Sequence, residues 1–265
     1  MIVTSWNCRG VGNREMIRHT KFLLSKKEVG AICFLETKTN KADKLLTLLS
    51  KLGFDNYFMV DTLGFVGGLL LVWNKSMLNL EVIDSNSQTI HCKVFEGGTT
   101  HLHVSFAYVR PNPRANELFW IECKTFSDAL SGPWVMMGDF SDIASLNDHW
   151  GSEQINMSNL DRFCSAYSDC GLMEVSSTGP NFTWLRQIGG RTVTRKKLDH
   201  VFWNLEAQEA FPEAKARVLA RTHSDHHPIS FDSRAGAAPD RSARPFRFEA
   251  AWISPEDYKE IWRKA

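Results

Sequence analysis

Four apolar segments of this chain end on, or just past, a carboxylate. ICFLE closes on Glu36, VMMGD on Asp139, KKLDHVF carries Asp199 and RTHSDHHPISF carries Asp225, while the first apolar run, MIVTSWN, closes on Asn7. Strand ends from different parts of a sheet converge on one edge, where α/β proteins place their sites. Carboxylates gathered there repel one another unless a cation sits among them. Hard carboxylate oxygens suit magnesium, which takes one or two carboxylates together with substrate phosphates. A single acid at a strand end is ordinarily a solvated turn residue; the chemistry is suggested by the ordered set.

RTHSDHHPISF also holds His223, His226 and His227. Zinc needs three or four ligands in suitable geometry. Adjacent residues of an extended chain point to opposite faces, so His226 and His227 are not expected to share an ion. His223 or Asp225 would fall on one side with His227, and His226 alone on the other. The same geometry argues against Asp225 orienting His226. A catalytic His226 therefore needs a carboxylate from another strand, and Asp199 is the best candidate. A histidine held by a buried acid serves proton transfer or phosphate contact near neutral pH.

These side chains must be held by strands and helices. MIVTSW reads as a strand, Met16 to Lys27 as a helix with Met16, Ile17, Thr20, Leu23 and Leu24 on one face, AICFLE as a strand, and KADKLLTLLSKLGF as a helix closed by Gly53. A block of strands follows: GGLLLVW, LEVID, TIHCKVF and HLHVSFAYV. Asn116–Ala129 reads as a helix, WVMMGDF as a strand, and Leu160–Cys170 as a helix ended by Gly171. NFTWL, KKLDHVFW, KARVLA and HPISF close the series as strands. Helices are too few for a purely parallel sheet, so mixed sheets with helices outside are expected. Residues 1–232 form the expected domain, SRAGAAPDRSARP over 233–245 a linker, and 246–265 a short strand and an amphipathic helix in which Ser254 is the expected cap.

Length and composition allow a full core. A net charge of +1 over 265 residues gives no overall field for a polyanion, so nucleic-acid binding would need a local basic patch. RTVTRKK supplies one, with Arg191, Arg195, Lys196 and Lys197 on a hairpin whose turn is the Gly-Gly of RQIGGRT. Arg9 and Arg14 are weaker candidates for phosphate contact. Of the nine tryptophans, Trp73, Trp134, Trp184 and Trp203 lie inside apolar runs, where core packing is expected. His101 and His103 alternate as on a polar sheet face, and G-x-G in RGVGNRE lacks the context of a nucleotide loop. The six cysteines have irregular spacings and form no C-x-x-C, so reduced thiols are expected. MIVTSWNCRG has no leader pattern and the longest apolar stretch, GFVGGLLLVW, is too short to span a bilayer. A nuclear or cytoplasmic location, not secretion, is expected.

Seven blocks occur in one order: SWNCRG, FLET, YVRPNP, GDFSDI, GPNFTW, KKLDHVFWN and SDHHP. Together they resemble the endonuclease–exonuclease–phosphatase superfamily. More closely they resemble the apurinic-endonuclease-like domain at the front of plant LINE-type (non-LTR) retrotransposon polyproteins, which GGLLLVW and PFRFEAAW also match. The resemblance implies a four-layer α/β/β/α sandwich of two mixed β-sheets flanked by helices. It implies a DNA endonuclease that uses Mg2+, with Mn2+ as the other candidate ion, and leaves a 3′-hydroxyl able to prime reverse transcription. Double-stranded DNA is the implied partner, and the chain is expected to act as a monomer or as part of a larger polyprotein, with 246–265 leading towards a reverse transcriptase.

The resemblance also implies roles. Glu36 would bind the metal, with Asn7 beside it holding the phosphate or the metal's water, and Asp225 would lie near the metal. Tyr108 would donate a hydrogen bond to the scissile phosphate. Asp139 would orient or deprotonate the attacking water. Thr183 would be a hydroxyl on the phosphate side, and Asp199 would hold His226. One departure stands out: the usual GDFN reads GDFS, with Ser141 in place of an amide that orients the aspartate and contacts phosphate. Loss of a transition-state donor costs about 10²–10³ in rate, so a weakened nuclease is expected. The alternatives are a phosphoesterase of the same fold acting on inositol phosphates or lipids, and a decayed domain that only binds nucleic acid or protein.

Overall fold

The computed structural model describes residues 1–235 except 13, 26–28, 63, 65, 97 and 222. The connector expected over 246–265, and the expected linker from 236 onward, lie outside the described residues.

The strands in chain order are β1 (Ile2–Asn7), β2 (Ala31–Leu35), β3 (Asn56–Val60), β4 (Leu69–Trp73), β5 (Asn79–Ser85), β6 (Thr89–Glu96), β7 (Thr99–Tyr108) and β8 (Trp134–Asp139). They continue with β9 (His149–Gly151), β10 (Met173–Glu174), β11 (Ser177–Thr178), β12 (Trp184–Ile188), β13 (Arg191–Lys196), β14 (Asp199–Trp203), β15 (Lys215–Val218) and β16 (Ile229–Asp232). The helices are α1 (Arg14–Ser25), α2 (Asp43–Lys51), α3 (Pro113–Ala129), α4 (Met157–Asp169) and α5 (Leu205–Ala210).

One sheet has the order β11-β15-β16-β1-β2-β4-β3, the second β10-β14-β8-β7-β6-β5, and a small third sheet β12-β13-β9. The β1–β2, β7–β8 and β11–β15 pairs are parallel and the others antiparallel. Both large sheets are therefore mixed, as expected.

Alternation along the strands builds the layers. Every residue of β2 is buried, because one face meets the other sheet and the other face meets helices. Ala31, Cys33 and Leu35 join Val3, Leu69, Leu71, Val135 and Met137 in the core between the sheets. Ile32 and Phe34 turn outward with Trp6, Leu70 and Val72 to meet Met16 of α1 and Leu45 and Leu49 of α2. On the second sheet Trp134 and Met136 turn outward to Phe119 and Trp120 of α3 and Phe163 of α4. The result is the four-layer α/β/β/α sandwich.

Local differences from the sequence reading have local causes. α3 starts at Pro113 rather than Asn116, because the Asn112 side chain accepts from the backbone N–H groups of Arg114 and Ala115 and Pro113 follows as first helical residue. α4 starts at Met157 rather than Leu160 under the Asn156 cap. α1 begins at Arg14, two residues before the expected start. The strand expected over NFTWL begins only at Trp184. β3, α5 and the short strands β9, β10 and β11 carry too few residues with clear periodicity to be read. All six cysteines are free thiols. Among the described residues no helix is long and apolar enough to cross a membrane.

Gly138 sets the approach of the two central strands of the second sheet. It sits at φ 152°, and a Cβ there would lie 1.9 Å from the Ala107 carbonyl oxygen. That contact is with backbone and has no side chain to move aside. Gly138→Ala is expected to destabilise the protein by roughly 3 kcal/mol, the upper part of the range for overpacking, lowering Tm by roughly 6–12 °C. Thermal melting by circular dichroism reads this directly; an unchanged Tm would show that β7 can move away freely.

Candidate active site

β8 runs between β7 and β14, so Asp139 at its end stands in register with Tyr108 on one side and Asp199 on the other. β1 belongs to the opposite sheet and ends on Asn7. The Asn7 amide bridges the two sheets: Nδ2 donates to Asp139 Oδ2 at 2.8 Å and to Glu36 Oε1 at 3.1 Å. The segment entering β16 is fastened to the same point. Ser224 Oγ donates to the Asn7 carbonyl at 2.7 Å and accepts from the His226 N–H at 3.1 Å. His226 is thereby aimed so that Nδ1 lies 2.9 Å from Asp199 Oδ2 and Nε2 lies 3.7 Å from Asp139 Oδ2. Asn7, Glu36, Asp139, Asp199 and His226 are all buried.

Burial alone would lower the His226 pKa, but the carboxylates of Asp199 and Asp139 outweigh it and raise it to about 9. The ring is therefore an imidazolium at neutral pH, with Nδ1–H donating to Asp199. Burial pushes the Asp139 carboxyl up; the positive His226 pulls it down, Asp199 pushes it up again, and the N–H groups of Asn7 and Ser141 pull it down, leaving it at about 6. At neutral pH Asp139 is mostly ionised yet basic enough to take a proton. Donor atoms of Asp139, Asp199 and His226 all lie within 4.8 Å of one another. The hydrogen-bonded contact between His226 and Asp199 and the charge opposite Asp139 account for that proximity without an ion.

Glu36 leaves β2 in the left-handed region, at φ 52°, as does Lys38 at 54°. Such backbone costs about 1–3 kcal/mol per residue and persists where surroundings impose it. Here it turns the Glu36 carboxylate into the rim. Burial raises the Glu36 pKa, but Arg9, the Asn7 amide, the Tyr108 hydroxyl and Lys38 together lower it below the ordinary value. Tyr108 donates to Glu36; burial and that carboxylate push its own pKa up, so the phenol keeps its proton. Asp225 resists the effect of burial through His226, Arg9 and the Trp184 indole, whose Nε1–H donates to Oδ2 at 2.8 Å, and its pKa is lowered. Between the two acids lies the Arg9 guanidinium. Nη1 donates to both Glu36 oxygens at 2.8 and 3.1 Å, and Nε and Nη2 donate to Asp225 at 3.0 and 3.3 Å.

Two ionised carboxylates converging on one cation, with only oxygen donors, match the ligand chemistry of a hard divalent ion. Glu36 and Asp225 are the residues that fit it.

Several residues singled out in the sequence lie elsewhere. Thr183 is completely buried, and its Oγ1 accepts from the N–H groups of Leu198 and Asp199 at 2.9 and 3.0 Å. It fixes the start of β14, and so Asp199, rather than offering a hydroxyl to phosphate, which corrects the expected role. Ser141 presents its N–H to Asp139 Oδ1 at 2.9 Å, while its Oγ donates to the Val109 carbonyl at 2.8 Å, so the hydroxyl is spent on the backbone.

The basic hairpin divides. β12 and β13 pair antiparallel around Gly189 and Gly190, both at positive φ. Arg191 and Arg195 are exposed, with Arg195 5.1 Å above the exposed Trp150 ring. Lys196 pairs with Glu153 at 3.1 Å. Lys197 does not belong to the surface set: Nζ lies 2.6 Å from Glu174 Oε1, beside buried His200, because the chain turns over as β13 passes into β14. The three clustered histidines also part company. His223 lies 3.5 Å from Glu15, His227 Nδ1 2.7 Å from the Leu219 carbonyl, and His226 on Asp199. Asp225 faces the rim and not the His227 side.

Lys38, Trp184 and Ser224 complete the site and were not read as part of it; Arg9, singled out only as a weaker candidate for phosphate contact, pairs with Glu36 and Asp225. Trp184 was expected in the core; its indole N–H instead orients Asp225. GPNFTW and SDHHP marked the segments of Trp184 and Ser224, but no spacing rule tells which way a loop side chain turns.

No family model matches the sequence, and no curated protein matches it. Solved structures do. The 3′-5′ exonuclease NExo from Neisseria meningitidis has TM-score 0.67 at 18% identity, over 88% of this chain and 99% of that one. An AP endonuclease from Archaeoglobus fulgidus has TM-score 0.63 at 14% identity, over 88% and 98%. The endonuclease domain of TRAS1, a telomere-specific non-LTR retrotransposon, has TM-score 0.65 at 13% identity, over 87% and 97%. The fold of this chain is that of the endonuclease–exonuclease–phosphatase proteins.

Proposed function

We propose that the protein is a divalent-metal-dependent endonuclease that hydrolyses one phosphodiester of double-stranded DNA and leaves a 3′-hydroxyl able to prime reverse transcription. The observation that carries this reading is His226, held by Asp199 at 2.9 Å and facing Asp139 at 3.7 Å, with Asn7 joining Asp139 to Glu36. It agrees with structural neighbours described as nucleases, one of them, the 3′ phosphatase NExo, bound to product DNA hairpin.

In this reading Asp139 takes the proton of the attacking water as its oxygen bonds to phosphorus. The Asn7 amide and Ser141 N–H keep the carboxylate aimed. The bond from phosphorus to the 3′-oxygen breaks, that oxygen takes a proton from solvent water, and Asp139 returns its proton to solvent. The His226 imidazolium faces the phosphate, where negative charge grows, as a fixed donor, and the Tyr108 hydroxyl would turn from Glu36 to the phosphate once an ion holds that carboxylate. A magnesium or manganese ion held by Glu36 and Asp225 would add positive charge at the phosphate and the leaving oxygen. Arg191 and Arg195 are the hairpin residues proposed to contact flanking phosphates.

The test is conversion of supercoiled plasmid to open circles with Mg2+, Mn2+ or chelator, beside a phosphoinositide release assay. Nicking that requires the ion and disappears in Glu36→Ala and His226→Ala is expected; phosphoinositide hydrolysis without nicking would replace this substrate, and no activity on either would remove the enzyme. Ser141→Asn is expected to raise nicking about 10- to 100-fold, part of the 10²–10³ that one donor contributes. Position 141 already has φ 58°, a conformation in which Asn is enriched. An unchanged rate would show that the missing amide is not what limits the protein.

A further inference from the structure

Arg9 holds the centre of the cation position, and it does so from a strained backbone. It sits at φ 53°, in the turn that leaves β1, where a non-glycine residue is uncommon. Its guanidinium makes four donor contacts at 2.8–3.3 Å, two to Glu36 and two to Asp225. Nη2 also lies 3.5 Å from His226 Nε2. Those contacts engage every carboxylate oxygen of the two residues that would hold a divalent ion. The Arg9 side chain is 38% exposed while Glu36 is 5% exposed, so the arginine has an open path to solvent and the carboxylate does not.

We infer that Arg9 is a displaceable resident cation: it neutralises Glu36 and Asp225 in the metal-free protein and must leave their oxygens before a divalent ion is held there. The inference rests on the metal-dependent reading above. Four carboxylates crowd this rim, Glu36, Asp139, Asp199 and Asp225, against the charges of Arg9, Lys38 and His226. Lys38 reaches only Glu36 Oε2, at 3.1 Å. Arg9 alone joins Glu36 to Asp225, because a planar fork with five donors serves two carboxylates at once and an ammonium does not. A metal-binding state populated at only about 1–10% raises the apparent Kd about 10- to 100-fold. Removing the arginine removes that penalty and exposes the carboxylates to one another.

The experiment measures Mn2+ affinity by electron paramagnetic resonance of the free ion, and Tm with Mn2+ or with chelator. It compares the unaltered protein, Arg9→Gln and Arg9→Lys, each with and without Glu36→Gln. Arg9→Gln is expected to bind Mn2+ at least about ten-fold tighter. It should melt below the unaltered protein in chelator and regain stability with Mn2+. Arg9→Lys, which keeps the charge and loses the fork, should fall between and remain folded in chelator. Glu36→Gln should lose the binding in each background. Equal or weaker Mn2+ affinity in both arginine variants, with binding still dependent on Glu36, overturns the exchange and leaves the metal reading standing. No Glu36-dependent Mn2+ binding in any variant overturns both.

Discussion

Asp139→Asn is expected to reduce nicking turnover by about 10²–10⁴, the contribution of a positioned general base, without unfolding the protein. The substitution is nearly isosteric but replaces an acceptor-only group by one with two donors. Asp139 accepts from Asn7 Nδ2 at Oδ2 and from the Ser141 N–H at Oδ1. An amide turned either way satisfies one of these and faces the other with a donor, so one hydrogen bond is lost, at a cost of about 1 kcal/mol. Against that loss, the folded state holds the Asp139 pKa up at about 6. Above that pH folding carries the cost of burying its charge, which an amide does not incur. Stability should therefore change little at neutral pH while chemistry fails. Single-turnover plasmid nicking beside thermal melting separates the two. A variant retaining more than about a tenth of the turnover would remove Asp139 as base and leave water activation to another group.

Asp199→Asn should act through the histidine, and its signature is a pH profile. In the unaltered protein kcat/KM should rise as Asp139 loses its proton through about 6 and fall as His226 loses its proton through about 9. Removing the Asp199 carboxylate leaves burial, which lowers the imidazole pKa, opposed chiefly by Asp139. The alkaline limb should move down by at least about one unit towards the ordinary histidine value near 6.5, so that the imidazolium fraction at pH 8, and the rate with it, should fall by roughly 2- to 30-fold. Stability should follow the same proton. The His226 pKa is raised on folding, so its contribution is fully present below the unfolded value of about 6.5 and is lost as pH rises through about 9. Asp199→Asn should flatten that decline. An alkaline limb that stays near 9 in the variant would show that the imidazolium is not the group whose deprotonation ends activity.

What could be read from the sequence divides along physical lines. The layers were legible because a two-residue alternation on strands such as AICFL and WVMMG, with helices between some of them, leaves few ways to cover both faces. The expectation that Asp199, not Asp225, partners His226 came from the opposite facing of adjacent extended residues, and the two side chains do meet at 2.9 Å. Loop positions resisted such reasoning. Arg9, Glu36, Lys38 and Ser141 all have positive φ, and alternation says nothing about where a side chain points once the backbone leaves the extended region. Trp184 looked like core because it follows an apolar run, yet its polar edge is what Asp225 needs. Lys197 looked like its three basic neighbours, but the turn between β13 and β14 sends it to Glu174. Thr183 lies one residue outside β12, so its hydroxyl caps the start of β14 instead of facing the cleft.

The order of strands in the first sheet ties assembly of the site to two segments far apart in the chain. β1 lies in mid-sheet between β2 and β16, and β16 is the last strand among the described residues. The Asn7 carbonyl and Trp6 indole wait for Ser224 and His226, more than two hundred residues downstream. At about 5–20 residues per second, roughly 10–50 s of synthesis separate β1 from His226, and the sheet is half-built in between. The contacts that join Asn7, Ser224 and His226 can therefore form only when β16 docks beside β1.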